Sequence, residues 1–254
     1  MSIWSCDDAP AEILAAYERD GYVILSDIFD QASAPSLEQL RAAAADATQL
    51  TRTGAWAHRR LVGKQFPPFD KDEHRDYWGV QHLLHPDLPH HEQFAAFYGS
   101  PRLLSIAALL MQAENGGASN SSGAEQMQLE LFNLLIEPHQ HAFALSWHRD
   151  DIRPDVSRKE EADKLATPTY GIQWNAALYD DECLFLVPGT HRRARTDDEV
   201  AANKAPAPTP VRVEASEGAQ KFDGKWDVDP PSAKRVTLKG PFEKLYSAQR
   251  VLFV

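Results

Sequence analysis

Cysteine is scarce: two in 254 residues, Cys6 and Cys183, with no pairing pattern between them. That excludes a disulfide-framed scaffold and fits a reducing compartment, with both thiols unpaired. The opening MSIWSCDDAPAEILAAYERDGY has no basic start followed by an apolar run, so no signal peptide is expected. Nowhere do about 18 apolar residues run together, which excludes a membrane-spanning helix. Positive charge is in deficit, with 26 Lys and Arg against 37 Asp and Glu and a formal net charge of −11. A chain without a basic footprint is poorly suited to neutralise phosphates, so nucleic acid is excluded as a partner. A G-x-S-x-G elbow is missing too, which argues against a nucleophilic hydrolase. The expectation is a cytoplasmic protein whose partner is a small molecule, with no membrane and no nucleic acid. Its oligomeric state is not legible.

What is present is a chain of ordinary make-up, 43% hydrophobic and 25% charged, long enough to bury a core. Ile13, Leu14 and Tyr17 form a helical stripe over 9–20 that Gly21 stops, and YVILSDIF follows as a short buried strand. Pro35 opens an alanine-rich helix with Leu37 and Leu40 facing inward. Residues 51–76 read as an irregular packed loop around Trp56, Phe66, Pro67, Pro68 and Phe69. A helix is expected from His90 to about Gln112, restarting near GSPRLL, and ENGGASNSSG reads as a polar loop. Then the pattern changes. EQMQLELFNLLIEP and AFALSWHRD predict two strands, and SRKE at 157–160 has the spacing of a helix cap for a short helix through Leu165. YGIQWNAALYD and ECLFLVPGTHRR predict two more strands, joined by the acidic turn at 180–182. Residues 201–234 read as a long loop, and KRVTLKG and KLYSAQRVLFV as closing strands. Helices precede strands, which makes one α+β domain over 1–254, helical to about 115 and β-rich from about 125.

The stretch LSWHRDDI places His148 and Asp150 two residues apart. On an extended segment residues i and i+2 share a face, so an imidazole and a carboxylate converge there. On a helix they would diverge. Such a pair supplies two corners of the 2-His-1-carboxylate arrangement that leaves positions open for Fe(II) oxygen chemistry. The plainer alternative is a polar strand end bonded to solvent and to Arg149 or Arg153.

LSWHRDDI, WNAALYDD and LFLVPGTHRR, preceded by YERDGYVIL and LELFNLLIEP, resemble the phytanoyl-CoA dioxygenase family of Fe(II)/2-oxoglutarate-dependent oxygenases, from Tyr17 to Arg193. The resemblance implies a double-stranded β-helix (jelly-roll) core flanked by N-terminal helices. It implies hydroxylation of a small organic metabolite by O2, coupled to decarboxylation of 2-oxoglutarate to succinate. Fe(II) and 2-oxoglutarate are the implied cofactors, with His148 and Asp150 as iron ligands. Asn133, Gln173, Trp174 and Asn175 are candidates for the 2-oxoglutarate side. Gln173 and Asn175 alternate onto one strand face, where a bound acid or barrel backbone could satisfy their amides. Trp147 is a candidate cavity wall. His82, in WGVQHLLHP, resembles a family stretch and is a candidate on the substrate side.

The family supplies a second iron histidine from a late strand and then an arginine for the 2-oxoglutarate carboxylate. His191 is the last histidine here, and its PGTHRR context marks it as structural. KLYSAQRVLFV resembles the strand leading into the missing ligand, whose place falls at or beyond Phe253, and Arg250 comes too early for the arginine. The expectation is a jelly-roll incomplete at its C-terminus, with an exposed apolar seam at VLFV: an incomplete chain, or a relative acting as a binding or scaffold protein. His139 and His141 read as solvated beside a turn at Pro138, and His90 and His91 as a helix start.

Overall fold

Helix α1 (Pro10–Asp20) begins on a proline, whose missing N–H would find no partner in a first turn, and ends where Gly21 takes a left-handed φ of 83°. A computed structural model describes residues 2–29, 35–63, 76–114, 127–142, 144–150, 152–167, 171–207, 211–212, 230–236, 242–246 and 252–253. Among these, α2 (Leu37–Thr53) starts at a full capping box, with Ser36 accepting from the Gln39 amide and Gln39 reaching back to Ser36. The helix expected near residue 90 is two, α3 (His91–Tyr98) and α4 (Pro101–Glu114), broken at Gly99–Ser100. Together they are apolar enough to span a membrane, but they bend by 45°, and Phe94, Phe97, Leu103 and Leu110 are buried in the core. No single described helix is long and apolar enough to cross a membrane.

The first strand, β1 (Ile3–Ser5), runs parallel to β2 (Tyr22–Ser26). All of Tyr22, Val23, Ile24 and Leu25 are buried, as a continuous apolar run on a strand demands. Val23 and Leu25 meet Ile13 and Tyr17 of α1 and Leu110 of α4, whereas Tyr22 and Ile24 meet Leu186 and Val236 across the opposite face. Each such side chain contributes about 1.5–3 kcal/mol. A second apolar cluster joins α2 to α3 through Leu40, Ala47, Phe94 and Phe97, with Trp56 beneath.

The remaining strands are short. β3 (Arg59–Leu61), β4 (Tyr77–Val80) and β5 (Leu134–Leu135) form one antiparallel sheet. β6 (His141–Ala142) pairs with β9 (Val211–Arg212). β7 (Gln173–Ala177) lies beside β11 (Phe242–Tyr246), which also pairs with β2, giving the order β1-β2-β11-β7. β8 (Phe185–Val187) is flanked by β10 (Lys234–Arg235) and β12 (Leu252–Phe253). Helix α5 (Arg158–Ala166) starts where Ser157 accepts from the Glu160 amide, and α6 (Asp197–Lys204) at a capping box of Thr196 and Glu199.

Several expectations need correction. Of the strand expected over 125–138, the described residues are regular at Leu134–Leu135, with Leu131 and Leu135 exposed. Residues 145–150 are not a ladder strand; His148 and Arg149 lie in isolated bridges, with Arg149 paired to Ile152. KLYSAQRVLFV is not one strand, because its ends belong to different sheets. α6 runs four residues into the expected 201–234 loop, and β3 stands inside the expected irregular region. Phe66, Pro67, Pro68, Phe69 and most of ENGGASNSSG lie outside the described residues. β12 pairs with β8 on one side, so the seam expected at VLFV is partly engaged. Among the described residues this is an α+β chain of six helices and several small sheets.

Candidate metal centre

The alternation expected at LSWHRDDI holds without a regular strand. Trp147 is fully buried against Val187 of β8 and Ala202 of α6. Arg149 is equally hidden, with its side chain 0% exposed. His148 and Asp150 turn the other way and stay partly open, at 30% and 39%. The His148 Nδ1 lies 2.8 Å from the Ser146 carbonyl oxygen. A carbonyl can only accept, so Nδ1 carries a proton, and in the neutral ring the lone pair is the one on Nε2. That nitrogen stands 3.9 Å from Asp150 Oδ1.

These two donors fit a divalent metal. A neutral imidazole with its second nitrogen anchored to a carbonyl is the common state of a ligand histidine. Donors about 2.1 Å from a shared ion at a right angle lie about 3.0 Å apart, so side-chain rotation of under an ångström closes the pair. The two arginines of the plainer alternative have described partners elsewhere. The Arg149 guanidinium points away to the Thr190 and Arg193 carbonyls, at 2.9 and 3.1 Å, and Arg153 faces Asp155. Among the described residues, no group of three His, Cys, Asp or Glu side chains could hold a metal.

Behind the pair lies an ionic network that the sequence reading missed. Glu161 of α5 is buried, forms an ion pair with Arg149 Nε at 3.1 Å, and accepts from Arg195 Nε at 2.8 Å and from the Arg195 amide. Arg193 clamps Glu199 with two bonds of 2.7 Å. Burial lowers Arg149 to about 10, with Glu161 opposing the shift. Burial pushes the Glu199 carboxyl up, but the Arg193 guanidinium and the Thr196 amide outweigh it and hold it below its ordinary value. Asn203 donates to the Trp147 carbonyl. The signal was HRRAR beside a Glu-rich helix, which reads as solvated surface unless the partners are known to meet.

The other candidates fall in separate places. Gln173 and Asn175 share a face of β7 with Ala177, which packs toward Tyr22 and Ile24 of β2 and Leu186 of β8, between those two strands' sheets. Trp174 takes the opposite face and stacks on Tyr98, 5.4 Å between ring centroids. Asn133 is half-buried before β5. His82 has a left-handed φ of 60° and packs edge-on to His58 at 4.7 Å. Its ring contact is in a cluster with His85 and Trp56 rather than with His148. Burial, reinforced by His82 and His85, holds the His58 imidazole below its ordinary pKa.

Two further histidines are settled by their partners. His141 was expected in solvent, yet its Nδ1 lies 2.9 Å from the fully buried carboxylate of Asp76, which also accepts from the His139 and Gln140 amides. A buried carboxylate needs such donors, and Asp76 is too distant in sequence to be foreseen. His191 is structural as expected: buried, it donates from Nε2 to the Glu18 carbonyl at the end of α1. Neither Cys6 nor Cys183 forms a disulfide.

Residues 17–232 match the phytanoyl-CoA dioxygenase (PhyH) family. No curated protein matches the chain. The fold is similar to AviO1 from Streptomyces viridochromogenes Tue57, at 17% identity and a TM-score of 0.56, covering 96% of this chain and 86% of that one. It is similar to EctD from S. alaskensis, solved with 2-oxoglutarate and 5-hydroxyectoine, at 16% identity and a TM-score of 0.55, covering 97% and 71%. The same enzyme with bound Fe gives a TM-score of 0.55 at 16% identity, covering 97% and 72%. The family match contains the His148–Asp150 pair and spans most of the sequence, and the chain belongs to the phytanoyl-CoA dioxygenase family.

Proposed function

We propose that the chain is a non-haem Fe(II)/2-oxoglutarate-dependent dioxygenase that hydroxylates a small organic metabolite in the cytoplasm. The observation that carries this reading is the His148 ring, pinned through Nδ1 to Ser146 with Nε2 turned toward Asp150. His148 and Asp150 hold the iron. When bound, iron and 2-oxoglutarate supply the oxidising chemistry, drawing on O2 and releasing succinate. The chain's own residues do the rest. The Ser146 carbonyl keeps the proton on Nδ1, so His148 binds as a neutral ligand. Gln173 and Asn175, on the face between the sheets, hold the co-substrate, with Asn133 and Trp174 as outlying contributors. Trp147 backs the site from the core, and His82 lies on the substrate side. The fold reading is a single domain over 1–254, with helices to about 115 and a jelly-roll from about 125. EctD, solved with Fe and with 2-oxoglutarate, supports it as analogy.

The test is succinate release by the 254-residue chain with Fe(II), 2-oxoglutarate and O2, beside His148→Ala and Asp150→Ala. Succinate formation that both substitutions abolish supports the oxygenase. The competing reading is a binding or scaffold relative, favoured by the lack of a third donor among the described residues. Folded protein that binds 2-oxoglutarate but releases no succinate would favour that reading.

A further inference from the structure

We propose that Arg149 is the positioning residue of the metal pair, setting from behind the angle at which His148 and Asp150 meet an ion. The inference rests on the metal reading above.

Arg149 sits between the two ligand positions in sequence and points the opposite way in space. Its guanidinium, 0% exposed, reaches two separate stretches of chain: the turn at Thr190–Arg193, through the carbonyls of both residues, and the Glu161 carboxylate of α5. Thr190 is itself tied down, its hydroxyl donating to the Val187 carbonyl at 2.8 Å. Glu161 is shared with Arg195, whose Nη2 also donates to the Arg153 carbonyl. One residue before His148, Trp147 is sealed in the core with its carbonyl held by Asn203. Two buried pegs therefore flank His148, and the second also precedes Asp150. With both fixed, the segment cannot roll about its own axis, and that roll is the motion that would splay an imidazole from a carboxylate two residues on.

The choice of residue supports a geometric role. A buried ion pair is commonly no better for stability than apolar side chains of the same volume. What arginine adds is a planar fork whose donors point in fixed directions, so the two carbonyls of the 190–193 turn are gripped at a set angle while the charge faces Glu161 of α5. Lysine keeps the charge and cannot reproduce the fork.

The experiment uses the whole chain with Co(II) alone as probe, following the visible d–d absorption for affinity and coordination, and a thermal melt for folding. Arg149→Lys is expected to fold, to bind Co(II) about 10–100-fold more weakly, and to show an altered d–d spectrum. Glu161→Gln keeps the two carbonyl contacts and should shift both in the same direction by less. Leu40→Ala, in the distant helical cluster, loses stability without touching the pair and should leave affinity and spectrum unchanged. Wild-type affinity and spectrum in Arg149→Lys would overturn the proposal, as would an equal loss in Leu40→Ala. Should Arg149→Lys not fold, Glu161→Gln decides, and an unchanged spectrum there overturns it. If His148→Ala binds Co(II) as wild type does, or wild type binds none, the metal reading fails and this one with it.

Discussion

Two glycines close helices in the same conformation and differ in one neighbour, which makes them a measuring device. Gly21 ends α1 at φ 83°, ψ 3°, and Gly54 ends α2 at φ 81°, ψ 5°. A Cβ built on Gly54 meets nothing within 4 Å, whereas one on Gly21 would stand 2.6 Å from Cγ and Nδ1 of the His191 ring. Gly54→Ala therefore carries only the left-handed penalty, about 1–2 kcal/mol. Gly21→Ala carries that penalty and also displaces His191, which loses its bond to the Glu18 carbonyl, a further 0.5–1.5 kcal/mol or about that. Crowding brings the expected total to about 2–4 kcal/mol. At about 2–4 °C per kcal/mol for a chain of this size, the melting point should fall by roughly 4–16 °C for Gly21→Ala and about half that for Gly54→Ala. Thermal melts by circular dichroism read both. Placing Gly21→Ala in a His191→Ala background removes the two contacts at 2.6 Å and leaves only the residue 191 Cβ at 2.8 Å, so the double variant should be less destabilised than the sum by about 1 kcal/mol. Equal losses at the two glycines, or strict additivity with His191→Ala, would refute the contact.

Other outcomes follow from the same contacts. His148→Ala should abolish saturable Co(II) binding while moving the melting point by no more than a few degrees, since the ring is partly exposed and its bond is local; calorimetric titration beside a melt checks both. Thr196→Ala removes the side-chain acceptor of the α6 capping box and should cost about 1 kcal/mol, read from urea unfolding. The lowered His58 pKa has a definite sign: the unfolded chain takes up the proton first as pH falls. Stability is unaffected well above the ordinary histidine value, declines as pH drops through it, and levels off below the folded pKa. His58→Gln should flatten that part of the curve, and a wild-type profile flat from pH 7.5 to 5 would contradict it.

How much was legible depends on the range of the forces involved. The helices were, because capping and periodicity act within a few residues: Ser36, Gly21 and the proline of α1 each sit where local chemistry puts them. α6 was legible in principle, since Thr196–Asp197–Asp198–Glu199 has capping-box spacing, but proline-rich and charged surroundings masked it. The His148–Asp150 convergence was legible from alternation alone. The strands around it were not, because two- and three-residue ladders are fixed by partners far along the chain and leave little periodic trace. The buried Arg149–Glu161–Arg195 group and the Asp76–His141 pair were invisible for a related reason. Charged residues read as surface until the fold brings opposite charges together.

The position of β11 bears on how the chain is made. It lies between β2 and β7, so Lys244 is paired to Ile24 on one side and to Asn175 on the other. On the ribosome, β2 and the helices emerge long before the strand that completes their sheet. Until residues 242–246 clear the exit tunnel, β2 and β7 have facing backbone edges without that partner, and such edges are sticky. Closing so long a loop is slow compared with helix formation, which makes the last step of folding non-local and late. Stalled or prematurely released nascent chains should therefore depend on chaperones more heavily than the finished protein does.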